Sequence, residues 1–382
     1  MRLAGRLGES VLVAALGVGA LVAGASRAEA GPFVQTNLVS DIPGLAAITD
    51  SSLRNPWGVS HSPTSPFWVS DQGTNVSTLY SVTPAGIAKV PLTVTIPQTA
   101  GGPQGPTGQV NNGSGAFVVG GAPANFLFAN LNGTISAWNR GLGTAAQIVA
   151  TTSGAVYTGL AIDNNAARLF AANGAQNRID VFDGSFAPVN LGANAFVNPN
   201  LPAGLVPFNV QNIGSNIYVT YAPAGRAAQI AATEGMGAVA VFDSSGNFIR
   251  QVVSGGKLAS PWGIALAPGA FGNFGGDLLV GNFSFAASEI NIFSPISGAL
   301  LDTITLDLAG NSPGGIWDLI FGNGGAGGNP NILYFSDGIN GEANGLFGAI
   351  RAIPEPASLA LLGPALAFLV LRRRGRSGAE AD

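Results

Sequence analysis

The sequence predicts an all-β fold, a six-bladed β-propeller of four-stranded blades. Three observations carry that expectation. A unit of roughly 50 residues recurs six times. Each unit holds short apolar runs separated by turn residues. Gly (56) and Pro (24) stand among plentiful β-branched and aromatic residues, a mixture that fits many short strands with tight turns rather than disorder.

Each unit opens with a short strand after a turn. These openings are Pro56-Trp57-Gly58-Val59, Pro106-Thr107-Gly108-Gln109, Tyr157-Thr158-Gly159-Leu160, Val206-Pro207-Phe208-Asn209, Pro261-Trp262-Gly263-Ile264 and Gly314-Gly315-Ile316-Trp317. A second strand follows at 67–70, 126–129, 169–172, 217–220, 278–281 and 333–336. The third carries an aromatic near its end, as in Leu79-Tyr80, Ala137-Trp138, Val181-Phe182, Val241-Phe242 and Ile292-Phe293, with a weaker copy at Leu346-Phe347. A fourth strand shows in most units, for example at 248–253 and 300–306. Four antiparallel strands per unit make a propeller blade.

The sixth unit runs out after its third strand, near Ile353. The segment 33–40 alternates suitably and has no other partner, so it is expected to supply the outer strand of the last blade. That closure hides an edge that would otherwise invite aggregation. A parallel β-helix is the other repeat architecture to weigh, but its repeats are shorter.

Charge and composition exclude several classes. Only 9% of residues are charged and the net charge is −4, with no basic patch in the middle of the chain. A nucleic-acid partner is not expected. With no cysteine, disulfides, thiolate metal sites and cysteine nucleophiles are ruled out.

The two ends read as targeting segments. Residues 1–30 combine Arg2 and Arg6, an apolar run from Val11 to Ala25 and the small-x-small site Ala28-Glu29-Ala30, the pattern of a signal peptide cut by signal peptidase. The propeller domain is then 31–352. Residues 353–376 hold Pro354-Glu355-Pro356, an apolar run from Ala357 to Leu371, and a cluster with Arg372, Arg373 and Arg374; 377–382 form a disordered end. The 15-residue run falls short of the ~20 of a comfortable transmembrane helix, but extension through the prolines brings it close. The arginines should stay cytoplasmic, which leaves the body outside.

Those three parts, in that order, resemble the PEP-CTERM sorting tail of Gram-negative bacteria. The resemblance implies recognition by an exosortase, a transient anchor in the inner membrane, and release to the envelope surface or an exopolysaccharide matrix. The body pattern, Pro-x-Gly-apolar followed by strands ending Val-Phe-Asp-x-x-Gly, resembles six-bladed propellers of the NHL and SMP-30/gluconolactonase types. Together with the tail it resembles an uncharacterised family of PEP-CTERM propeller proteins. No full catalytic motif of either type is matched.

Blade geometry narrows the search for a site. The start of strand one and the end of strand two share one face. Trp57, Phe208 and Trp262 stand at the first place; Asp71, Asn130, Asn173, Tyr221, Asn282 and Asp337 stand just after strand two. Asp or Asn at five blades is expected to ring one channel mouth. Oxygen-only ligands suit a hard cation such as Ca²⁺, and the resembled gluconolactonases imply a divalent metal there. Turn chemistry after a strand explains the same residues without a ligand. Trp57 and Trp262, with Tyr221, either plug the blade tops or stack on sugar rings. The loop from Tyr221 to Gly237, with Arg226 and Glu234, is long enough to cap the channel.

Catalytic readings are thinner. His61 is the only histidine, so a Ser-His-Asp triad must use it, although it is expected on the opposite face. A glycosidase pair requires two acids about 5–10 Å apart, drawn from Asp71, Asp318 and Asp337. Asp318, inside a strand, either pairs with Arg54 or Arg351 or faces the channel. Two functions therefore stand at this point: a non-catalytic module that binds glycan, protein or Ca²⁺, and a metal-dependent lactonase-like or other hydrolytic enzyme.

Overall fold

A computed structural model describes residues 33–165 and 167–353. The signal-peptide segment (Ala28, Ala30) and the sorting tail (Pro354, Glu355, Pro356, Arg372, Arg373, Arg374) lie outside the described residues. No helix among the described residues is long and apolar enough to cross a membrane.

Six antiparallel sheets follow one another along the chain, and their first strands meet around one axis. Blade one is Pro56–Ser60, Phe67–Asp71, Val76–Thr83 and Gly86–Thr95. Blades two, four and five repeat the plan from Pro106–Asn111, Leu205–Ile213 and Pro261–Leu266. Blade six has Ile316–Phe321, Leu333–Asp337 and Leu346–Ala352, and Phe33–Ser40 pairs with the last of these from Phe33↔Ala352 to Ser40↔Leu346. The N-terminal strand thus closes the ring as expected, and Ile48–Thr49 adds a short parallel strand outside it.

Blade three departs from the four-strand plan. Its sheet holds Tyr157–Ile162, Arg168–Asn173 and Arg178–Asp183 only. The chain beyond returns alongside through two backbone hydrogen bonds, Asp183 N–H to Ala187 O (2.9 Å) and Val189 N–H to Val181 O (2.7 Å). Pro188 has no N–H to donate, and Gly192, at φ 96°, turns the chain away.

Each seam between blades is one apolar cluster. Strand alternation supplies it, because residues two apart share a face. Phe67, Val69 and Tyr80 of blade one meet Tyr334 and Phe347 of blade six. Phe126 and Phe128 of blade two meet Trp68 and Leu79 of blade one.

At the axis the first strands approach too closely for side chains. A Cβ on Gly58 would come 2.6 Å from Thr107 O, and Cβ atoms on Gly108, Gly159 and Gly263 would run into Leu160 N, Asn209 Oδ1 and Trp317 O. Blades four and six place Asn209 and Asp318 at this level instead. Asn209 Nδ2 donates to Trp262 O (2.9 Å), and Asp318 Oδ2 accepts from Val59 N–H (2.6 Å). Both side chains tie their blade to the next.

Candidate functional site

Cross-strand pairing fixes the register at the channel mouth. Pro56 faces Asp71, Pro261 faces Asn282 and Ile316 faces Asp337. Trp317 therefore occupies the place of Trp57 and Trp262, two residues from where the sequence motif set it. Counted this way, the six mouth residues are Trp57, Thr107, Thr158, Phe208, Trp262 and Trp317.

The aromatic four fill the axis. Trp57 stacks on Trp317 with centroids 3.4 Å apart, and Phe283 stacks on the same indole at 4.3 Å. Trp262 stands edge-on to Trp317 at 5.7 Å and donates its Nε1–H across the axis to Thr158 O (2.7 Å). All of these rings are buried. Trp57, Trp262 and Tyr221 are thus packing residues first, with Trp57 also bordering open space.

The loop after the second strand of blade four does cap this mouth. It carries a one-turn helix, Arg226–Ile230. The Arg226 guanidinium lies 4.0 Å from the Phe283 centroid, 5.1 Å from Trp317 and 5.3 Å from Trp57, a three-ring cation–π contact. It forms an ion pair with Glu342, whose Oε1 also accepts from Asn55 Nδ2 (2.8 Å); Asn55 Oδ1 accepts in turn from Trp317 Nε1–H (3.0 Å). Burial lowers the Arg226 pKa and the Glu342 charge opposes that shift. Arg226 Nη1 has no hydrogen-bond partner.

The threonine side is different. Thr107 and Thr158 are too small to fill the mouth, and a cleft of about 380 Å³ opens beside Trp57. Its lining includes Pro103, Leu131, Val156, Thr158, Arg226 and Gln229. A larger groove of about 590 Å³ lies on the outer rim of blade three, where the fourth strand is missing.

The Asp/Asn positions do not converge on the mouth. Each is the last residue of its second strand, not a turn residue, and faces the seam toward the preceding blade. Asp71 shares a face with Phe67 and Val69 toward blade six, while Asp337 shares one with Leu333 and Phe335 toward blade five. The sheet of blade six therefore separates these two acids. Most of the five bond locally: Asp71 Oδ2 accepts from Thr78 Oγ1 (2.7 Å), Asn130 Nδ2 donates to Ser136 Oγ (3.0 Å), Asn173 Nδ2 to Asp180 Oδ2 (2.8 Å) and Asn282 Nδ2 to Lys257 O (2.8 Å). Tyr221 fills the same seam place in blade four. This oxygen set does not fit one shared cation. Among the described residues no three His, Cys, Asp or Glu side chains cluster to hold a metal ion.

The remaining acids are structural in placement. Asp318 pairs with neither Arg54 nor Arg351; its oxygens accept from the N–H groups of Val59 (2.6 Å) and Leu319 (2.8 Å). Burial pushes its carboxyl up to about 7. Asp337 has no hydrogen-bond partner on either oxygen, and burial pushes it to about 7 as well. Burial likewise raises Asp71 well above the usual carboxylate range, against the opposing bond from Thr78. His61 lies at the other mouth, its ring nitrogens facing Phe321 O (2.9 Å) and Ser62 O (3.2 Å), so it has no serine or acid partner.

Sequence reasoning missed Trp317, Phe283, Asn55 and Glu342. Trp317 was visible but misregistered, and the other three sit on loops with no repeat to mark them.

Fold and mouth together define a closed six-bladed propeller with an aromatic plug and an arginine cap. No protein-family model matches the chain. An uncharacterised protein of Acanthamoeba polyphaga mimivirus, L690, is 31% identical over 271 residues, covering 67% of this chain and 70% of the viral protein. The chain belongs to the family of that viral protein. A second mimivirus protein, R648, is 29% identical over 64% of this chain, which spans 63% of its length. Among solved structures, a gluconolactonase from Xanthomonas campestris is 14% identical, with a TM-score of 0.37 over 59% of this chain and 81% of that one.

Proposed function

We propose that this propeller is a non-catalytic binding module that takes an acidic glycan segment into the cleft beside Trp57. The observation that carries the reading is the asymmetry of the mouth. Four blades seal it with aromatic rings, while a mostly apolar cleft lined by Trp57, Thr158 and Arg226 lies beside them. Ligand sites have this character: concave, largely apolar, with few polar groups to orient the guest. Arg226, paired with Glu342, is the one charged side chain in the lining of the cleft and supplies the cation for an acidic guest. The targeting segments read from the sequence set the module outside the cytoplasm, handled by signal peptidase and exosortase and held briefly at the inner membrane. An envelope surface or exopolysaccharide matrix is a setting in which glycan binding has a use. The metal-dependent hydrolase reading finds no cluster to work with among the described residues.

Calorimetric titration of the chain with alginate oligosaccharides and with neutral dextran tests this. The expected result is saturable binding of alginate over dextran, weakened at least about tenfold in Arg226→Ala, the scale of one charge-assisted hydrogen bond. Equal binding of both glycans, or alginate binding indifferent to Arg226→Ala, contradicts the reading.

A further inference from the structure

Among the described residues, blade three alone lacks a fourth strand. In blades two, four and five the outer strands Gln147–Thr151, Phe248–Ser254 and Leu300–Ile304 cover the third strand. In blade three the returning chain last pairs at Val189, and the groove of about 590 Å³ takes the outer strand's place. No residue of this groove also lines the cleft beside Trp57.

Four polar side chains line the groove: Thr152, Arg178, Asp180 and Asn190. Two of them are spent inside the protein. Asp180 Oδ1 accepts from Arg178 Nε (2.5 Å), and Oδ2 accepts from Asn173 Nδ2 (2.8 Å). Tyr157 Oη bridges Asp180 Oδ2 (2.9 Å) and Thr152 Oγ1 (2.7 Å). The other two keep donors at the surface. The Arg178 side chain is 52% exposed, and among the described residues neither Nη1 nor Nη2 meets an acceptor. Asp180 thus holds the guanidinium by Nε and leaves its far end, two N–H groups side by side, to take a carboxylate. Asn190 is exposed; its Oδ1 accepts from Gly192 N–H (2.8 Å), which leaves the Nδ2 donors over. The rest of the lining is apolar. Val189 and Leu191 are half-buried and Ala193 is exposed, so apolar surface lies open in the same groove.

We propose that this groove binds an amphipathic carboxylate, a medium-chain fatty acid or comparable apolar acid, with its head on Arg178 and Asn190 and its body along Val189, Leu191 and Ala193. The side-chain inventory selects that chemistry. Both available donors call for an acceptor, and one of them carries a positive charge. A cationic guest is disfavoured, because Asp180, the one acid of the lining, already accepts from Arg178, Asn173 and Tyr157. A sugar is disfavoured too: the two aromatic residues of the lining, Phe182 and Phe196, are buried and offer no open ring face. The volume lies within the range of about 300–1,000 Å³ usual for small-molecule sites.

Calorimetric titration of the full chain with octanoate, 1-octanol and acetate tests the proposal. Two variants read the head group. Arg178→Gln removes the exposed cation and leaves Asp180 its bonds from Tyr157 and Asn173. Asn190→Asp keeps an oxygen for Gly192 N–H and replaces the exposed donors by a negative charge. The expected result is saturable octanoate binding, at least about tenfold weaker for octanol and for acetate, and weakened at least about tenfold in each variant, the scale of a hydrogen bond to a charged group. Arg226→Ala should leave octanoate affinity unchanged. Absence of saturable octanoate binding overturns the proposal, and so does an affinity that octanol equals or that both variants retain. Loss of octanoate binding in Arg226→Ala places the acid in the upper cleft and overturns it as well.

Discussion

The two mouths of one channel carry opposite chemistry. The upper mouth holds Trp57, Phe208, Trp262 and Trp317 under Arg226; the lower holds Ser60, His61, Gln109, Asn111 and Asn212. Between them the axis is closed by glycines whose neighbours leave no room for a Cβ. The lesson is a division of labour along each first strand. Its start seals or receives, its middle lets six strands converge, and its end bonds blade to blade. A ring of Asp and Asn oxygens around one channel mouth, as in the sequence expectation, has no place in that arrangement.

The sharpest way to break this comparison is at the seal. Trp317 is fully buried and packs against Trp57, Phe208, Trp262 and Phe283. Trp317→Ala should cost about 3–5 kcal/mol, the range for large aromatic truncations in a core, read as a lowered midpoint in urea unfolding. A loss below about 1 kcal/mol would show that the plug is not what holds the upper mouth.

A smaller effect separates seam acids from site acids. Burial pushes the Asp337 carboxyl up to about 7 in the folded chain, well above the usual carboxylate range. The folded state therefore holds the extra proton between about pH 4 and 7, and stability falls as pH rises through that window. Asp318 acts with the same sign. Asn stands at this seam place in blades two, three and five. Asp337→Asn should thus raise stability at pH 8 by about 1–3 kcal/mol, within the upper bound set by roughly 1.4 kcal/mol per pH unit, and flatten the pH dependence of Tm. An unchanged pH profile would mean that Asp337 has a partner that holds its charge.

The sequence made the blades legible because a blade is local: apolar runs, Gly and Asp turns and a fixed period lie within one unit. Even the closing strand Phe33–Ser40 could be found by elimination. The register of blade six could not, since Ile316-Trp317-Asp318 replaces the Pro-x-Gly mark and hides the equivalence of Trp317 with Trp57. Blade three lost its fourth strand to Pro188 and the turn at Gly192, a departure that a repeat pattern smooths over. The Asp/Asn series was expected just after the second strands; each residue instead ends its strand and is paired within the sheet. Which face it occupies depends on strand alternation counted from the core, and that count put it in the seams. The Arg226–Glu342–Asn55 cap joins three loops distant in sequence, so only the length of the Tyr221–Gly237 loop hinted at it.

Hydrogen exchange of the full chain with and without alginate oligosaccharides tests the central claim most directly, because it reports both mouths at once. Added protection is expected at Leu131, Val156 and the Gly225–Gln229 turn, with the lower strand ends around His61, Asn111 and Asn212 unchanged. Protection confined to the lower strand ends, or spread evenly over both mouths, would contradict the assignment of the glycan to the upper cleft.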